Sequence, residues 1–196
     1  MLMCEMPKRA RMENDARRAQ LLALGLGVFS TRAYDEVSME DIARAAGISK
    51  GLVYHYFPTK RHFYVAALKE AARQLLEETT PHDDDPAETR LRKGLEGYLA
   101  FVEKHARAYT TLMRGGVGVD KQAASVIEKT RAAFMERFFA APELAAVATP
   151  AMRLAVRGWI GFVESTSLEW LERKAIAREA LVDLWTRVLF SVSMQA

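Results

Sequence analysis

The sequence predicts an all-α protein built from two helical domains of unequal size. Apolar residues recur at helical spacing along nearly all of the 196-residue chain, and no segment of strand length alternates apolar with polar residues. The composition, 50% apolar and 27% charged residues, is that of a globular protein that buries a core. No apolar run approaches the roughly 18 residues that a membrane-spanning helix requires, so we expect no membrane span.

Positive charge is concentrated in the first part of the chain. Residues 1–73 hold 12 Lys and Arg against 8 Asp and Glu, whereas the remaining residues hold 16 against 17. The N-terminal part therefore carries a surplus of 4 positive charges, within a net charge of +3 for the whole chain, and is where we expect a polyanion to bind. Cys4 is the only cysteine, which excludes an intrachain disulfide and fits a reducing, cytoplasmic environment. The start lacks the apolar segment of a secretory signal, and its several methionines leave the translation start open.

A basic segment and a long amphipathic helix open the chain. We expect residues 1–12 to form a flexible arm, and Asn14 or Asp15 to cap a first helix that ends near Thr31. Basic side chains of the arm and of the start of this helix are candidates for contacts with a polyanion, and an ordinary solvated charge is the alternative for each. These residues are Lys8, Arg9, Arg11, Arg17 and Arg18.

Two short helices joined by a tight turn are predicted next. Ser38 can cap the first of them, and Asp41 at its third position completes a capping box. Gly47 permits the left-handed turn that ends this helix. The second short helix runs from about Ser49 to Tyr56.

The residues between these helices fit a helix-turn-helix motif. Two short helices cross steeply only if a small residue lies at their contact, and Ala43 meets this need while Val53 faces back toward it. Pro58 disfavours a helical conformation of the residue before it, so the second helix stops there, and Thr59 then caps a fourth helix. The remaining core positions are Ile42, Ile48, Tyr56 and Phe57.

A second helical region follows a linker. Residues 80–86 contain two prolines and three consecutive aspartates and are the best linker candidate. Pro150 suits the first position of a helix capped by Thr149, whereas Arg114-Gly115-Gly116-Val117-Gly118 is expected to break the chain. The helices of this region are predicted at 87–104, 106–113, 120–140, 150–171 and 175–193.

One pattern favours a different function. Residues 47–51 match G-x-S-x-G, the nucleophile elbow of many hydrolases, with Ser49 as the nucleophile. An elbow needs a strand before the serine, and residues 41–46 are helical in composition and spacing. A serine hydrolase is therefore kept only as a remote alternative, and we expect no enzyme, no cofactor and no metal site. The histidines lack paired ligand spacing, and residues 83–85 lack the glycine and glutamate of a calcium loop.

Residues 13–65 resemble the N-terminal domain of TetR-family transcriptional regulators. The resemblance is dense, ordered and ungapped, whereas the rest of the chain agrees only in length and helical character. Ala33 stands where the family usually has Gly, Val37 where it has Thr, and Leu52 where a small polar residue is frequent. The first two departures bear on loop shape and the third on base preference. The matching positions are Phe29-x-x-x-Ala33-Tyr34-x-x-Val37-Ser38-Met39-x-Asp41-Ile42-Ala43-x-x-Ala46-Gly47-Ile48-Ser49-Lys50-Gly51-x-Val53-Tyr54-x-Tyr56-Phe57-x-x-Lys60.

The resemblance implies that the second short helix enters the major groove of DNA. Lys50 is expected at a phosphate or a guanine edge, and Leu52 against a thymine methyl group. For Tyr54 and Tyr56 a partly buried core position is the alternative, and for Lys60 an ordinary solvated charge. The expected DNA-contacting residues are Ser38, Lys50, Gly51, Leu52, Tyr54, His55, Tyr56 and Lys60.

For the larger region the resemblance implies an effector pocket and a homodimer interface. An apolar or aromatic effector fits the side chains available, although a filled core is the alternative for each of them. The expected pocket residues are Tyr98, Phe101, Tyr109, Met113, Phe134, Met135 and Phe138. The expected interface residues are Trp159, Phe162, Val163, Leu168, Leu181, Leu184, Val188 and Leu189.

These expectations combine into one functional hypothesis. A homodimeric repressor binds a palindromic operator, and a small-molecule effector releases it. An activator, or a regulator whose large region only dimerises, remains an alternative. The domain limits expected on this basis are the arm at 1–12, the helix-turn-helix domain at 13–60 and the effector-binding and dimerisation domain at 61–196. The fourth helix, at about 59–79, connects the last two.

Overall fold

The computed structural model describes residues 8–32, 34–80, 85–116, 120–141, 144 and 148–193. Within these ranges every regular element is helical, so the predicted all-α class is confirmed. The elements are α1 (Lys8–Thr31), a 3-10 turn (Tyr34–Glu36), α2 (Met39–Ala46), α3 (Lys50–Tyr56), α4 (Lys60–Glu78), α5 (Ala87–Lys104), α6 (Ala106–Thr111), a π turn (Leu112–Gly116), α7 (Lys121–Phe139), α8 (Pro150–Arg173) and α9 (Arg178–Ser193).

The chain divides into two compact units. The first unit extends to Ala71 and the second begins at Ala72, so residues of α4 belong to both. Each unit has its own cluster of buried apolar side chains. The limits predicted from the sequence, 13–60 and 61–196, divide the chain by function rather than by compactness and stay predictions.

Local signals fix the ends of α2 and α3. The Ser38 hydroxyl accepts a hydrogen bond from the Asp41 backbone N–H at 3.1 Å, and the Asp41 carboxylate accepts one from the Ser38 backbone N–H at 2.9 Å. This is the capping box that the sequence predicts. Gly47 ends α2 at φ 64°, the left-handed conformation that glycine adopts without a steric penalty. Phe57, ahead of Pro58, is extended and ends α3.

The core of the first unit forms where short helices cross. Ala43 and Val53 are both buried in the cluster that α2 and α3 share. The Phe57 ring meets the Phe63 ring edge to face, with centroids 4.9 Å apart. In α1, a Cβ on Gly25 would lie 2.6 Å from the Phe63 ring. A glycine is therefore what allows α1 and α4 to approach this closely.

Tryptophans organise the core of the second unit. Trp185 is completely buried, and its indole N–H donates to the Thr166 hydroxyl at 2.7 Å. Trp159 donates its indole N–H to the Trp185 backbone carbonyl at 2.8 Å. Both indoles are thus buried with their polar atoms satisfied, as a close-packed interior requires. At the start of α8, Thr149 caps the helix and Pro150 occupies its first position, as predicted.

A lysine in an unusual conformation ends α8. Lys174 has φ 46°, and its ammonium lies 3.3 Å from the centroid of the Trp170 ring. The same ammonium pairs with Glu103 on α5 at 2.6 Å. The Trp170 indole N–H donates to the Ile176 carbonyl at 2.9 Å, which closes the turn toward α9. These contacts offset the cost of a left-handed backbone at a residue other than glycine.

Three predictions about element limits differ from the structure. α1 begins at Lys8 rather than near Asn14, so part of the expected arm is helical. The reason is compositional, since no glycine or proline stands between Lys8 and Leu24. The expected break after residue 113 is also wrong at its start, because the π turn continues α6 through Gly116. Finally, α9 begins at Arg178, three residues after the predicted start. Residues 1–7, 81–84 and 117–119 lie outside the described residues.

Candidate nucleic-acid interface

Helix α3 presents most of its surface to solvent. Val53 is the buried residue among its seven, and Tyr56 is half-buried. Leu52 and Tyr54 are 37% and 41% exposed. We call the five exposed residues of this helix the reading face; they are Lys50, Gly51, Leu52, Tyr54 and His55. The side chains of this face are therefore available to a partner.

The reading face is held by the turn before it and by one anchor. The Ser49 hydroxyl accepts a hydrogen bond from the Leu52 backbone N–H at 3.2 Å and so caps α3. The Ile48 backbone N–H donates to the Ala43 carbonyl at 3.1 Å, which ties the turn to α2. Val53, with no exposed surface, fixes the helix rotation. Ser49 thus follows a helix and serves as a cap, whereas a nucleophile elbow would need a strand before it.

Ser38 lies at the exposed start of α2, with both of its polar groups in use. Its hydroxyl accepts from the Asp41 backbone N–H and also donates to the Asp41 carboxylate at 2.7 Å. The backbone N–H of Ser38, followed by its hydroxyl, lowers the pKa of Asp41 below the ordinary value, and Arg32 and Arg44 add to the shift. A phosphate placed here would compete with the Asp41 carboxylate for the same donors.

Three of the expected DNA-contacting groups have partners within the first unit. The Tyr56 hydroxyl donates to the Asn14 side-chain oxygen at 2.6 Å, which directs it toward α1. The Lys60 ammonium lies 4.1 Å from the centroid of the Tyr34 ring. Both side chains are half-buried, and contact of Tyr56 and Lys60 with DNA stays a prediction.

The third of these groups is Lys50, whose ion pair joins the two short helices α2 and α3. The Lys50 ammonium lies 3.6 Å from the Glu40 carboxylate, and both side chains are more than half exposed. Sequence reasoning did not single out Glu40, Asn14 or Tyr34 as neighbours of the candidate site. The sequence predicts Asn14 as a possible helix cap, and no local pattern relates it to a tyrosine 42 positions later.

Arg17 and Arg18, near the start of α1, each contact a neighbouring side chain and remain exposed. The Arg18 guanidinium lies 5.3 Å from the centroid of the Phe57 ring, in a cation–π contact beside the end of α3. Arg17 donates to Gln20 at 3.2 Å. Both arginines are exposed, so either remains available to a polyanion.

Comparison with known proteins relates both units to one family. Residues 21–67 match the family model described as "Bacterial regulatory proteins, tetR family", and residues 87–192 match "Tetracyclin repressor-like, C-terminal domain". The chain belongs to the TetR family. Its first unit therefore carries the helix-turn-helix domain of that family, as the sequence resemblance indicates.

Individual TetR-family proteins are similar to this chain in sequence and fold. The transcriptional activator FasR of Mycolicibacterium smegmatis is 29% identical over 66% of this chain and 60% of its own length. The transcriptional repressor KstR of Rhodococcus jostii is 28% identical over 63% of this chain and 58% of its own length. A crystal structure of a TetR-family regulator from Streptomyces coelicolor superposes with a TM-score of 0.79 at 36% identity, covering 91% of this chain and 79% of that chain. The alignments thus span less than two thirds of these two curated relatives.

The residues expected around a TetR effector lie at different depths. Tyr98 and Phe101 are buried, whereas Tyr109 is half-buried. The Tyr98 and Tyr109 hydroxyls share a hydrogen bond of 2.7 Å, and Tyr109 donates to the Glu164 carbonyl at 3.4 Å. Burial raises the pKa of both tyrosines far above the ordinary value, so both hydroxyls stay protonated. The other expected pocket residues are half-buried: Met113, Phe134, Met135 and Phe138.

A charged pair crosses the same unit between α7 and α8. Two guanidinium nitrogens of Arg131 donate to the Glu164 carboxylate, at 2.9 and 2.6 Å, and both side chains are about 15% exposed. Glu128 also pairs with Arg131, and Arg157 reaches Glu128 at 3.2 Å. These contacts raise the pKa of Arg131 further above its ordinary value. The pair is satisfied within the chain and stabilises the contact between two helices.

The residues expected at the dimer interface fall into two groups. Trp159, Val163, Leu181 and Leu189 are buried inside the single chain, so a partner is not needed to explain their apolar character. Phe162, Leu168, Leu184 and Val188 are half-buried. The sequence could not separate the groups, because a helix buried on two faces shows one broad apolar stripe.

The described residues offer neither a metal-binding cluster nor a membrane-spanning helix. No group of three or more His, Cys, Asp or Glu among them is arranged to hold a metal ion. No helix among them is both long enough and apolar enough to cross a lipid bilayer.

Proposed function

We propose that the protein acts as a homodimeric repressor that leaves a palindromic operator when a small apolar or aromatic effector binds. The exposed reading face of α3 is the single observation that carries the DNA-reading part of this proposal. Its cationic, aromatic and apolar side chains stand on a helix thin enough for the major groove. Two copies related by a twofold axis would place two such helices about 34–36 Å apart, one turn of DNA.

Selection from random duplexes is the direct test of DNA reading. The full chain should enrich a palindromic or nearly palindromic sequence, and log affinity should fall steeply with log salt because several phosphates are neutralised. Enrichment of unrelated sequences, or binding that salt does not weaken, would contradict specific operator binding. A reporter gene placed behind the enriched sequence then separates repression from activation. The distinction is needed because one relative is named as an activator and another as a repressor.

Leu52 offers a sharper test of base reading. An exposed leucine on a groove-facing helix packs on a thymine methyl group, so Leu52→Thr should change the preferred base at one position of each half-site. General affinity should change less than this preference, because the substitution removes no charge. An unchanged preference would show that Leu52 does not touch a base.

One face of α8 supports the proposed dimer. Leu154 is 74% exposed, and a Cβ on Gly158 or Gly161 would meet no other atom within 4 Å. With the half-buried Phe162 and exposed Ser165, these residues recur at one side of the helix. Small residues beside exposed apolar ones allow a second helix to approach closely, and we place the partner's α8 here.

The dimer is tested by substitution within this face. Gly158→Ala should stabilise a solvent-exposed helix by about 0.5–1 kcal/mol. That result is expected if the face contacts solvent. If the face contacts a partner subunit, as proposed, Gly161→Glu should convert the dimer to monomers in sedimentation equilibrium, while the circular dichroism spectrum stays unchanged. A Gly161→Glu variant that remains dimeric would place the interface elsewhere.

The effector part of the proposal has a specific rival. Tyr98 and Phe101 are packed in the core, and the Tyr98–Tyr109 hydroxyl pair is already satisfied. These observations favour a second candidate function, a regulator whose larger region dimerises without an effector. A thermal-shift screen against apolar and aromatic molecules separates the two, since a ligand that binds the folded state raises the melting temperature. To support effector control, a hit must also release the protein from the enriched DNA sequence in a gel-shift assay.

A further inference from the structure

Glu40 places a carboxylate beside the reading face. It is the second residue of α2, directly after the buried Met39, and it faces the first residue of α3. The Glu40 carboxylate lies 3.6 Å from the Lys50 ammonium, and the two side chains are 65% and 54% exposed. An acidic group is unexpected at this place, because a surface that approaches DNA is usually cationic.

Fold stability gives little reason for this pair. Exposed ion pairs contribute at most about 1 kcal/mol and are screened by salt. The neighbouring acid, Asp41, is the one that closes the capping box with Ser38. Glu40 has no part in the cap, and its contact connects it to the reading face.

The chemistry of the pair matches one base pair in the major groove. A lysine ammonium donates to the O6 and N7 atoms of guanine, and a carboxylate accepts from the N4 amino group of cytosine. In a G·C pair, guanine O6 and cytosine N4 are hydrogen-bonded to each other and so lie about 2.9 Å apart. The 3.6 Å between the Lys50 and Glu40 groups is close to this spacing. One ammonium and one carboxylate held side by side therefore present the complement of that edge.

We propose that Glu40 and Lys50 together recognise one G·C base pair in each half-site, with Lys50 donating to guanine and Glu40 accepting from cytosine. The inference rests on the proposed DNA-binding function and adds Glu40 as a specificity-determining residue. Glu40 also repels phosphates, which keeps Lys50 from a non-specific backbone contact. The pair as a whole carries no net charge, so it selects a base without adding to counterion release.

Selection from random duplexes by the full chain tests this proposal with four proteins. The wild type should require a G·C pair at one position of each half-site. Glu40→Gln and Lys50→Gln should each weaken that preference about tenfold. The double variant should lose no more than the more damaging single substitution, because both act on one base pair. Glu40→Gln should also steepen the salt dependence by about 0.9, since Lys50 is then able to bind a phosphate.

Two controls separate base reading from charge and folding. Asp35→Asn removes the same charge from an exposed residue of the same unit and should leave the base preference unchanged. Glu40→Asp retains the charge on a shorter side chain and should keep part of the preference. Melting temperatures of all variants should agree closely, because the exposed pair contributes little to folding.

Other outcomes would overturn the inference in distinguishable ways. If Glu40→Gln keeps the wild-type preference and raises affinity for every duplex as Asp35→Asn does, then Glu40 is only a surface charge. If the preferred base changes with Lys50→Gln but not with Glu40→Gln, the lysine reads alone. If the wild type enriches no sequence at all, the proposed DNA-binding function fails, and this inference fails with it.

Discussion

The two units of the chain use polar side chains in opposite ways. In the first unit, Lys50 and Tyr54 lie on a face that folding leaves exposed, and the tie of Lys50 to Glu40 is a single exposed contact. In the second unit, Arg131 and Glu164 are largely buried and satisfy each other across two helices. The polar groups of α3 are thus available to an outside partner, whereas those of α7 and α8 hold the fold together.

This difference predicts which measurements each unit should affect. Substitutions on the reading face should change DNA binding with little effect on unfolding. Substitutions in the second core should change the free energy of unfolding first. The variants below test this division, in order of decreasing expected effect.

Trp185→Ala is expected to be the most damaging. The side chain is completely buried and its indole N–H donates to the Thr166 hydroxyl, so truncation leaves a cavity and removes a hydrogen bond. The free energy of unfolding should fall by about 3–5 kcal/mol in urea titrations. Phe190→Ala, on the same helix but about half exposed, should cost less than about 1 kcal/mol. Similar losses for the two variants would mean that Trp185 is not a core anchor.

Two glycines of α1 give a matched test within the first unit. A Cβ on Gly25 would collide with the fully buried Phe63 ring, so Gly25→Ala should destabilise the protein by about 1–3 kcal/mol. A Cβ on Gly27 meets nothing within 4 Å, so Gly27→Ala should instead stabilise it by about 0.5–1 kcal/mol. Thermal unfolding of both variants checks the signs. Equal signs would contradict the close approach of α1 to Phe63.

Substitution of Lys60 tests whether its side chain contacts a DNA phosphate. Lys60→Gln should reduce the slope of log affinity against log salt by about 0.9, the value of one phosphate contact. Lys69→Gln, an exposed lysine further along α4, is the matched control and should leave the slope unchanged. Should both variants shift the slope equally, Lys60 would act as general positive charge rather than as a contact.

The smallest expected effect is a pH dependence that originates at Asp41. Hydrogen bonds from Ser38 lower the pKa of this carboxyl in the folded state, so the charged form favours folding. The resulting stability is present above about pH 4 and is lost as pH falls through the lowered pKa. Urea unfolding between about pH 5 and pH 2 should therefore be less pH-dependent for Asp41→Asn. A curve for Asp41→Asn that is identical to the wild-type curve would exclude this linkage.

Local rules explain what the sequence could predict. The capping box of Ser38 and Asp41, the left-handed turn at Gly47 and the extended residue before Pro58 each depend on a few neighbouring residues. Such signals stay readable without any knowledge of tertiary structure. They were sufficient to place α2, α3 and the turn between them, and so to define the candidate interface.

Contacts between distant segments could not be predicted from local sequence signals. The hydrogen bond from Tyr56 to Asn14 and the cation–π contact of Lys60 with Tyr34 join residues that no periodicity relates. In the second unit, apolar spacing predicted the helices but did not show that Trp159 faces the core and Leu154 the solvent. Direct DNA contacts of the reading face remain predictions, because exposure shows availability and not what is bound.

The anchoring of α3 by Val53 and Tyr56 has an evolutionary consequence. Since the five residues of the reading face lie outside the core, each of them is free to mutate without a compensating change in the core. A duplicated gene carrying this fold would acquire a new target sequence through a handful of codon changes and keep its stability throughout. Divergence in what such regulators control would then proceed faster than divergence in how they fold.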